Sequence, residues 1–407
     1  MADAAMQDDR PTSIWNKGFA MLVIIEIFLQ IGGALSRPLV SNFVIGLGAG
    51  IAIAGIVVGL STGTATVLRP VSGFLSDRVN KKTNLTVSAT AFTIAAFGCA
   101  ISDSVFWVAL FSVVQGIALS FKGIGMASLV AMSVPSNRIG TAVGGIGLIS
   151  TLALAVGPAL GTLISEVIDI RASFYIAGAL CLVGCVISFF YKAPAAAAGK
   201  KEELTLEGDG PLIARLARLS FHFPTLPFAV LAVFVMCAHS SMTGLVLSMS
   251  TMGYLESGSL YFTSYALAAL LSRPVAGRLS DAYGVAAVGV PGLLIAAVGM
   301  AELVFFHSWI AVVVSGVLMG LGQAASHSAV QAEAVRGVDS AHLGRATNTY
   351  YLGVDIGIAS GPFAGGAIIA AFSPEALFVF NTFTLLFAVG MLLVLRKRRQ
   401  NSQVESD

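Results

Sequence analysis

The chain has 407 residues, of which 56% are hydrophobic and only 11% carry a charge, and its mean hydropathy is +0.87. Soluble domains carry about 25% charged residues, so a soluble protein of this composition would expose large apolar patches and aggregate. The formal net charge of +2 is too small to favour nucleic-acid binding. The composition therefore indicates a protein that crosses a lipid membrane many times and binds no nucleic acid.

About twelve apolar stretches of the length needed to cross a bilayer follow one another along the chain. They lie near residues 18–44, 51–71, 84–102, 105–131, 139–164, 172–191, 227–251, 259–276, 285–304, 309–332, 343–371 and 376–395. Because these stretches are continuously apolar and do not alternate, they predict helices and exclude a strand barrel. The first stretch is too long for a signal-peptide core, so no cleavage is expected.

Basic residues are distributed unevenly among the connections between these stretches. If the N-terminus is cytoplasmic, the outer connections contain only Arg171, beside several acidic residues. The inner segments then contain Lys17, Arg78, Lys81, Lys82, Arg138, Lys192, Lys200, Lys201, Arg215, Arg218, Arg278, Arg336, Arg345 and the run Arg396–Arg399. Because Lys and Arg accumulate on the cytoplasmic side, we predict a multi-pass membrane protein with both termini cytoplasmic.

Motifs that would indicate an ATP-driven pump or a metal site are missing from the sequence. It contains neither a phosphate-binding glycine-rich loop followed by Lys and Ser or Thr, nor an HExxH motif. The four cysteines lie inside apolar stretches without a CxxC pair, which favours packing over a zinc site or a disulfide framework. We therefore expect no enzymatic activity, no metal and no cofactor.

Two landmarks recur at one spacing and indicate a duplication. The segment Arg69–Asp77 returns as Arg273–Asp281 with seven of nine residues identical, and Gly277 follows Gly73 by 204 residues. The pair Gly157–Pro158 returns as Gly361–Pro362 at the same spacing of 204. The sequence thus predicts an all-α membrane protein in which about 12 transmembrane helices form two pseudo-symmetric six-helix bundles.

The domain boundaries follow from the polar breaks. We expect a cytoplasmic N-terminus at residues 1–17, a first bundle at 18–191, a cytoplasmic linker at 192–226, a second bundle at 227–395 and a basic cytoplasmic tail at 396–407. Apolar residues recur at helical spacing within the linker, with arginines between them, at Leu212, Ile213, Leu216 and Leu219. This pattern predicts a short amphipathic helix on the inner membrane surface that tethers the two bundles.

The eleventh stretch carries a glycine every fourth residue, at Gly353, Gly357, Gly361 and Gly365. Glycines at this spacing lie on one face of a helix, where they let another helix approach closely. Asp355 is two residues from the nearest of them and points to roughly the opposite face.

Charged side chains inside the spans need a partner or a wet cavity, since each costs at least about 2.5–3.5 kcal/mol in hydrocarbon. Glu26 lies about a third of the way into the first span from the inside, and Lys122 lies at a comparable depth in the antiparallel fourth span. Equal depth leaves Glu26 and Lys122 free to pair if the two spans are neighbours, and Gln30, one helical turn from Glu26, would extend the polar face.

Asp355, Glu26 and His239 are the candidates for proton coupling. Asp355 lies near the middle of the eleventh span, and burial favours the protonated form of a carboxylic acid, so that a proton can be exchanged during transport. The alternative is a structural Asp355 bonded to Asn348 or Tyr351. His239 lies near the middle of the seventh span and either relays protons or is a hydrogen-bonded histidine of the cavity.

Polar and aromatic side chains inside the spans are candidates for a substrate cavity. They are Gln30, Arg37, Gln115, Lys122, Tyr265, His327, Asn348 and Tyr351. His327 and Gln331 share one helix face at the spacing i, i+4. Aromatic walls with a few polar groups suit a partly apolar small molecule. Packing for the aromatic rings, and an outward-reaching side chain for Arg37, remain open alternatives.

The chain resembles the major facilitator superfamily of secondary transporters over essentially its whole length. The segment Gly73–Lys82 is similar to the family's signature between spans two and three, with Asn80 in place of the usual glycine. Gly157–Gly161 is similar to the fifth-span motif of the family's antiporters, with Ala153 in place of its leading glycine. The Arg-Pro ending of the second span is similar to that of bacterial exporters of drugs and small metabolites.

This resemblance implies roles for the repeated motifs. The eleventh span carries a fuller form of the antiporter motif over Gly357–Gly366. The fourth-span motif of the family has an arginine where this sequence has Ser112, so that arginine's role in proton coupling is not carried over. The residues implied in gating are Gly73, Asp77, Arg78, Gly277, Asp281, Gly157, Pro158, Gly361 and Pro362.

Two of these residues are expected to act as latches when the inner side is closed. Asp77 would meet the start of the eleventh span near Arg345, and Asp281 would meet the start of the fifth span near Arg138. A carboxylate at the positive N-terminus of a helix supplies such a bond, worth about 1–3 kcal/mol.

The resemblance implies a secondary active transporter that moves a small organic molecule across the cell inner membrane by alternating access. In the resembled fold the first and fourth spans both line the cavity, which favours the Glu26–Lys122 pair. Proton-coupled antiport, and therefore efflux, is the preferred mechanism. The alternatives are proton symport or uniport for uptake of a small metabolite or organic anion, and a membrane sensor that transports nothing. The expected partners are a small-molecule substrate, the proton and membrane lipid, and we expect a monomer.

Overall fold

A computed structural model describes residues 13–78, 80–135, 138–193, 222–335, 338 and 343–404. These residues contain thirteen α-helices and no strand. The helices are α1 (Lys17–Ser36), α2 (Leu39–Gly46), α3 (Ile51–Arg78), α4 (Lys81–Ile101), α5 (Val105–Ser133), α6 (Ile139–Val167), α7 (Ile170–Phe190), α8 (Leu226–Thr251), α9 (Ser259–Tyr283), α10 (Val285–Ala301), α11 (Trp309–Val335), α12 (Leu343–Ala371) and α13 (Pro374–Val404). Short 3₁₀ turns, Phe223–Thr225 and Glu302–Val304, flank α8 and α10.

Eleven of the described helices contain a stretch that is long and apolar enough to cross a membrane. The helix α9 is the twelfth, and its apolar part, Ser259–Ser272, is shorter. The predicted all-helical membrane fold is confirmed. The predicted linker helix around residues 212–219 lies outside the described residues.

The first span is divided, whereas a continuous stretch over 18–44 was predicted. α1 ends at Ser36 and α2 begins at Leu39, with Pro38 between them. Proline has no N–H to donate, and its ring crowds the carbonyl four residues earlier, so a helix breaks or bends there. The prediction counted apolar residues and gave Pro38 no weight.

The charged turn expected between the second and third spans is mostly helix. α3 continues to Arg78, and α4 begins at Lys81. The side chain of Asn80 caps α4, because its Oδ1 accepts a hydrogen bond of 2.9 Å from Lys82 N. α3 and α4 are therefore separated by only two residues in the sequence. Charged residues signal the membrane surface, but they do not end a helix that continues into water.

The chain divides into two compact units. The first unit comprises Met1–Arg37 and Val67–Thr205, and the second comprises Pro38–Thr66 and Leu206–Asp407. In the first unit α1 packs against α6 and α7, and α4 packs against α5 and α7. In the second unit α8 packs mainly against α12, while α9 and α10 pack against α11. The large side chains Phe19, Leu22, Leu85, Phe92 and Leu129 belong to the core of the first unit.

The glycine face of α12 contacts another helix, as predicted, and the structure shows that this helix is α8. A Cβ added at Gly353 would overlap the backbone of Ala229, and one at Gly357 would lie 2.6 Å from Val233 O. Gly361 and Gly365 continue the same contact along α8. The absence of side chains on this face therefore allows the two helices to touch through their backbones.

A second side of α12 packs against the first part of α3, which belongs to the same unit. Gly55 lies against Pro362 O, and a Cβ at Gly59 would lie 2.8 Å from Ala359 O. These glycines are one turn apart on α3. α12 is thus held on one side by α8 and on another by the first part of α3.

The duplication is visible in the internal contacts of each unit. Gly157 of α6 packs on α1, where an added Cβ would lie 2.9 Å from the carbonyl carbon of Ala34. Gly361 of α12 packs on α8 between Cys237 and Ser241. Ala238, which lies between those two residues, follows Ala34 by the same 204 residues that separate the two glycines. Each unit therefore repeats the same contact of its fifth helix with its first.

Candidate functional site

Glu26 and Lys122 form an ion pair inside the first unit. α1 carries Glu26 and α5 carries Lys122, and Lys122 Nζ lies 2.9 Å from Glu26 Oε1. Glu26 is 2% exposed and Lys122 is 6% exposed. Because an isolated charge surrounded by hydrocarbon is costly, each side chain offsets the cost of the other. The predicted Glu26–Lys122 pair is present in the structure.

One carboxylate oxygen of this pair remains available. Glu26 Oε2 is buried and has no hydrogen-bond partner among the residues that the structure describes. An ionised carboxylate can accept several hydrogen bonds, so a buried oxygen without one is an acceptor for a ligand or a proton. The pair is therefore chemically able to bind an ammonium group or to exchange a proton.

Polar side chains near the ion pair connect neighbouring helices of the first unit. Gln30 Nε2 donates a 2.6 Å hydrogen bond to Ser150 Oγ, which joins α1 to α6. Gln115 is buried on α5, two turns before Lys122. Arg37 folds back onto its own helix, where Nε donates to Gly33 O at 3.1 Å. Gln30 thus extends the polar face of α1 as expected.

A cluster of polar and aromatic side chains lies inside the second unit. The His239 ring of α8 stacks on the Tyr265 ring of α9, with centroids 4.8 Å apart. The Tyr265 hydroxyl donates to Gln323 Oε1 of α11 at 2.8 Å, and Gln323 Nε2 lies 3.6 Å from Met236 Sδ of α8. Tyr261 stacks on Tyr265 at 6.2 Å. We call these five residues the Tyr265 cluster; it connects three helices.

His327 and Gln331 both reach α12 from one face of α11. The Tyr350 hydroxyl and His327 Nδ1 are 2.9 Å apart and share a hydrogen bond. Gln331 Nε2 donates to the Tyr351 hydroxyl at 2.9 Å. The predicted i, i+4 face is therefore confirmed, and it forms the polar contact between these two helices.

Asp355 is buried near the middle of α12, with 7% of its surface exposed. It lies one turn before Ala359 and two turns before Pro362, which are the residues that face α3. Asp355 therefore continues the α3-facing stripe towards the N-terminal half of α12. Asn348, two turns earlier, is exposed.

Gln323 was missed at the sequence level although its signal was present. It lies one turn before His327 and two turns before Gln331, so the same i, i+4 spacing extends to it. It is 4% exposed and occupies the centre of the Tyr265 cluster. A search for polar residues at helical spacing along α11 would have found it.

The structure describes the surroundings of some of the repeated motif residues and not of others. Gly157, Pro158, Gly361 and Pro362 are buried helix contacts within their own units. Of the other predicted gating residues, Arg278 is exposed near the end of α9. The surroundings of the remaining residues are outside what the structure describes; these are Gly73, Asp77, Arg78, Gly277 and Asp281. The proposed latches of Asp77 and Asp281 stay predictions.

Residues Gly59–Gly63 have the spacing G-x-S-x-G of a hydrolase nucleophile elbow. That motif requires a sharp strand-to-helix turn that exposes the serine hydroxyl. Here the residues lie inside the continuous helix α3, and Ser61 Oγ donates to Val58 O at 3.3 Å. These residues therefore form an ordinary part of a helix, and the motif does not support a hydrolase activity.

Outside the spans, hydrogen bonds fasten the α8–α9 connection to the α10–α11 connection. The Tyr254 hydroxyl lies 2.8 Å from His307 Nε2, and Glu256 N donates to His307 O at 3.0 Å. Glu256 Oε2 accepts from Trp309 N at 3.0 Å. Burial, followed by the contact with Glu375, raises the pKa of the Tyr254 hydroxyl above its usual value, so it keeps its proton at neutral pH.

Comparison with known proteins identifies relatives over nearly the whole chain. The family described as Major Facilitator Superfamily matches residues 22–257 and 229–406. A multidrug resistance protein MdtG from Dickeya zeae is 24% identical over 364 residues, covering 87% of this chain and 86% of that protein. A multi-drug resistance efflux pump PmrA from Streptococcus pneumoniae is 24% identical over 371 residues, covering 87% and 90%.

Solved transporter structures share the fold. A POT family transporter in complex with a thioalcohol-conjugated peptide has a TM-score of 0.76 at 13% identity, covering 94% of this chain and 96% of that one. A mutant form of the nucleoside transporter NupG has a TM-score of 0.75 at 13% identity, covering 93% and 97%. At this identity the likeness establishes the fold alone.

Proposed function

The chain belongs to the Major Facilitator Superfamily, and from this premise we propose that it exports a small organic molecule across the cell inner membrane in exchange for protons. It is a multi-pass membrane transporter. In the proposed cycle the binding site opens to one side of the membrane at a time, and a monomer is the working unit.

Export is the direction supported by the relatives. Both are bacterial proteins named for multidrug resistance or efflux, and each resembles this chain over 87% of its length. This similarity is the observation that carries the proposal. The antiporter-like motif at Gly157–Gly161 supports the same direction.

Asp355 is the proposed carrier of the exchanged proton. It is a buried carboxylate near the middle of a membrane-spanning helix. A carboxylate in such a place can gain and lose a proton as the site opens to either side of the membrane. His239 is the second candidate for the proton path, because its ring lies in the Tyr265 cluster.

The Tyr265 cluster also supports a substrate class. Two stacked tyrosine rings, a histidine ring and one amide form a surface that is mainly aromatic with a few hydrogen-bonding groups. Such a surface suits a flat, partly apolar organic molecule. Gln30 and Gln115 are proposed as further polar contacts to the substrate.

Transport of ethidium into proteoliposomes tests the proposal. An antiporter accumulates ethidium when the liposome interior is more acidic than the medium. We expect Asp355→Asn to abolish this dependence on the pH gradient while ethidium binding, measured by fluorescence, is kept. Glu166→Gln is the matched control, because Glu166 is an exposed carboxylate at the end of α6. Gradient-driven uptake that is unchanged in Asp355→Asn would refute the role of Asp355.

The ion pair supports a second candidate, the uptake of a zwitterion or an organic anion. Glu26 and Lys122 present both charges inside a membrane bundle, and Glu26 Oε2 is an available acceptor. The direction of the gradient separates the two functions, since a proton symporter accumulates substrate when the outside is acidic. With a labelled zwitterionic amino acid as the probe, accumulation under outside-acid conditions alone would favour uptake.

A further inference from the structure

We propose that an anionic phospholipid binds at a defined groove on the membrane-facing side of the first unit. The groove encloses about 510 Å³ and is lined mainly by α4, with contributions from α5 and α7. Its lining begins at Lys82 and Phe189 and extends along α4 to Ile94, with Val114 on the α5 side. This surface has no part in the proposed transport chemistry.

The groove is apolar although three threonines line it, because the hydroxyl groups of two of them, Thr86 and Thr90, bond to the protein. The Thr90 hydroxyl donates to Thr86 O at 2.9 Å and lies 3.3 Å from Cys185 Sγ. The Thr86 hydroxyl accepts a 3.2 Å hydrogen bond from Ser188 Oγ. These two threonines therefore turn methyl groups towards the groove, which fits a hydrocarbon chain better than a polar molecule.

The length of the groove fits one leaflet of the bilayer. Twelve residues of α4 separate Lys82 from Ile94, which is about 18 Å along a helix. Half of the hydrocarbon core of a bilayer is about 15 Å thick. Val87 and Ile94, which line the groove, are 57% and 51% exposed and face the surrounding lipid. One acyl chain, running from the membrane surface towards the midplane, therefore fits the groove.

A positive charge lies at the end of the groove where the headgroup would be. Lys82 is the second residue of α4, and its Nζ donates a 3.0 Å hydrogen bond to Phe189 O at the end of α7. An ammonium group has three donors, so this bond holds Nζ in place and leaves capacity for a phosphate oxygen. The N-terminus of α4 adds its positive partial charge, and the exposed Lys192 follows α7 at the same end.

Basic pockets beside membrane helices favour anionic lipid headgroups, and each basic residue contributes about 1 kcal/mol at the surface. The combination of a fixed ammonium and a leaflet-deep apolar groove thus points to a phospholipid with a net negative charge, taken from the leaflet on the Lys82 side. A zwitterionic lipid carries its own ammonium and gains less from Lys82.

The test compares lipids of matched acyl chains on the purified full-length protein. Phosphatidylglycerol or phosphatidylcholine is added in detergent, and bound lipid is counted by native mass spectrometry while Tm is recorded. We expect phosphatidylglycerol to bind more tightly and to raise Tm more. Lys82→Gln should weaken phosphatidylglycerol binding about fivefold and leave phosphatidylcholine binding unchanged.

Three further variants keep the test decisive. Lys82→Arg should retain the preference for phosphatidylglycerol, and Val87→Phe, which fills the groove, should weaken both lipids. Lys17→Gln is the matched control, because Lys17 also begins a helix and is exposed, outside the groove. Equal binding of the two lipids, or a preference that survives Lys82→Gln, would overturn the proposal. Loss of ethidium transport in Val87→Phe with lipid binding unchanged would instead assign the groove to the transported molecule.

Discussion

The stability of the protein depends on both partners of the buried Glu26–Lys122 ion pair. Glu26→Gln keeps the shape of the side chain but leaves Lys122 without its counter-charge, which costs about 3–5 kcal/mol for a buried pair. We expect a large fall in Tm, measured by thermal unfolding in detergent. The double variant Glu26→Gln with Lys122→Met should recover much of this loss, because no charge then remains buried.

The structure offers a matched control for that experiment. Arg171 and Asp103 form a second ion pair at 2.8 Å, but the Asp103 side chain is 84% exposed. Asp103→Asn makes the same chemical change as Glu26→Gln and should cost at most about 1 kcal/mol, since water solvates exposed charges. Similar losses in both variants would show that the Glu26–Lys122 pair is not shielded from water.

The buried ion pair could be predicted because charges are rare in hydrocarbon, depth follows from counting residues along each span, and the resembled fold places both spans beside one cavity. The Tyr265 cluster could not be predicted in the same way. Whether His239 contacts Tyr265 or another ring depends on the rotation of α8 and α9 about their axes. Because almost every side of these helices is apolar enough to be buried, the sequence carries no signal for that rotation. The depth of a residue in the membrane follows from its position along the span, whereas the rotation of each helix about its axis depends on packing between helices.

At the scale of elements, two glycines one turn apart on α3 should respond oppositely to alanine. A Cβ at Gly59 would lie 2.8 Å from Ala359 O, a backbone atom that moves only with α12, whereas at Gly63 the nearest atom, Ala359 Cβ, is 3.9 Å away. Overpacking costs about 1–3 kcal/mol, and alanine gains about 1 kcal/mol over glycine inside a helix. Gly59→Ala should therefore lower Tm, and Gly63→Ala should keep or raise it.

Thermal unfolding of the two variants, with ethidium transport as a second readout, checks this prediction. A Gly59→Ala protein as stable as Gly63→Ala would mean that α3 and α12 are not in backbone contact. The glycine ladder of α12 predicted that some helix lies on it, but the sequence alone did not say that α8 takes that face, or that α3 takes another.

At the scale of the whole molecule, the repeat preserves the close glycine contacts but not the buried ion pair. The close contacts of Gly157 and Gly361 recur at one spacing of 204 residues. The residues that follow Glu26 and Lys122 by 204 positions are Val230 and Ser326, which cannot form an ion pair. Duplicated glycines and prolines therefore shape both units, while each unit has acquired its own buried polar groups.

The number of membrane crossings depends on α9, whose apolar part, Ser259–Ser272, is shorter than the other spans. If α9 crosses, the connections before and after it lie on opposite sides, and all later helices keep the predicted orientation. Single cysteines labelled with a membrane-impermeant maleimide on intact cells test this directly. The four native cysteines are buried, at 1–8% exposure, so they should give little background.

We expect Ser257→Cys and Ser308→Cys to be labelled from outside, because both positions are exposed in predicted outer connections. Tyr283→Cys and Lys192→Cys, also exposed, should react only after the cells are opened. If α9 failed to cross, Tyr283→Cys would label together with Ser257→Cys, and Ser308→Cys would become inaccessible. That pattern would leave an odd number of crossings and put the two termini on opposite sides of the membrane. The basic tail Arg396–Arg399 would then face outward, against the tendency of Lys and Arg to remain in the cytoplasm.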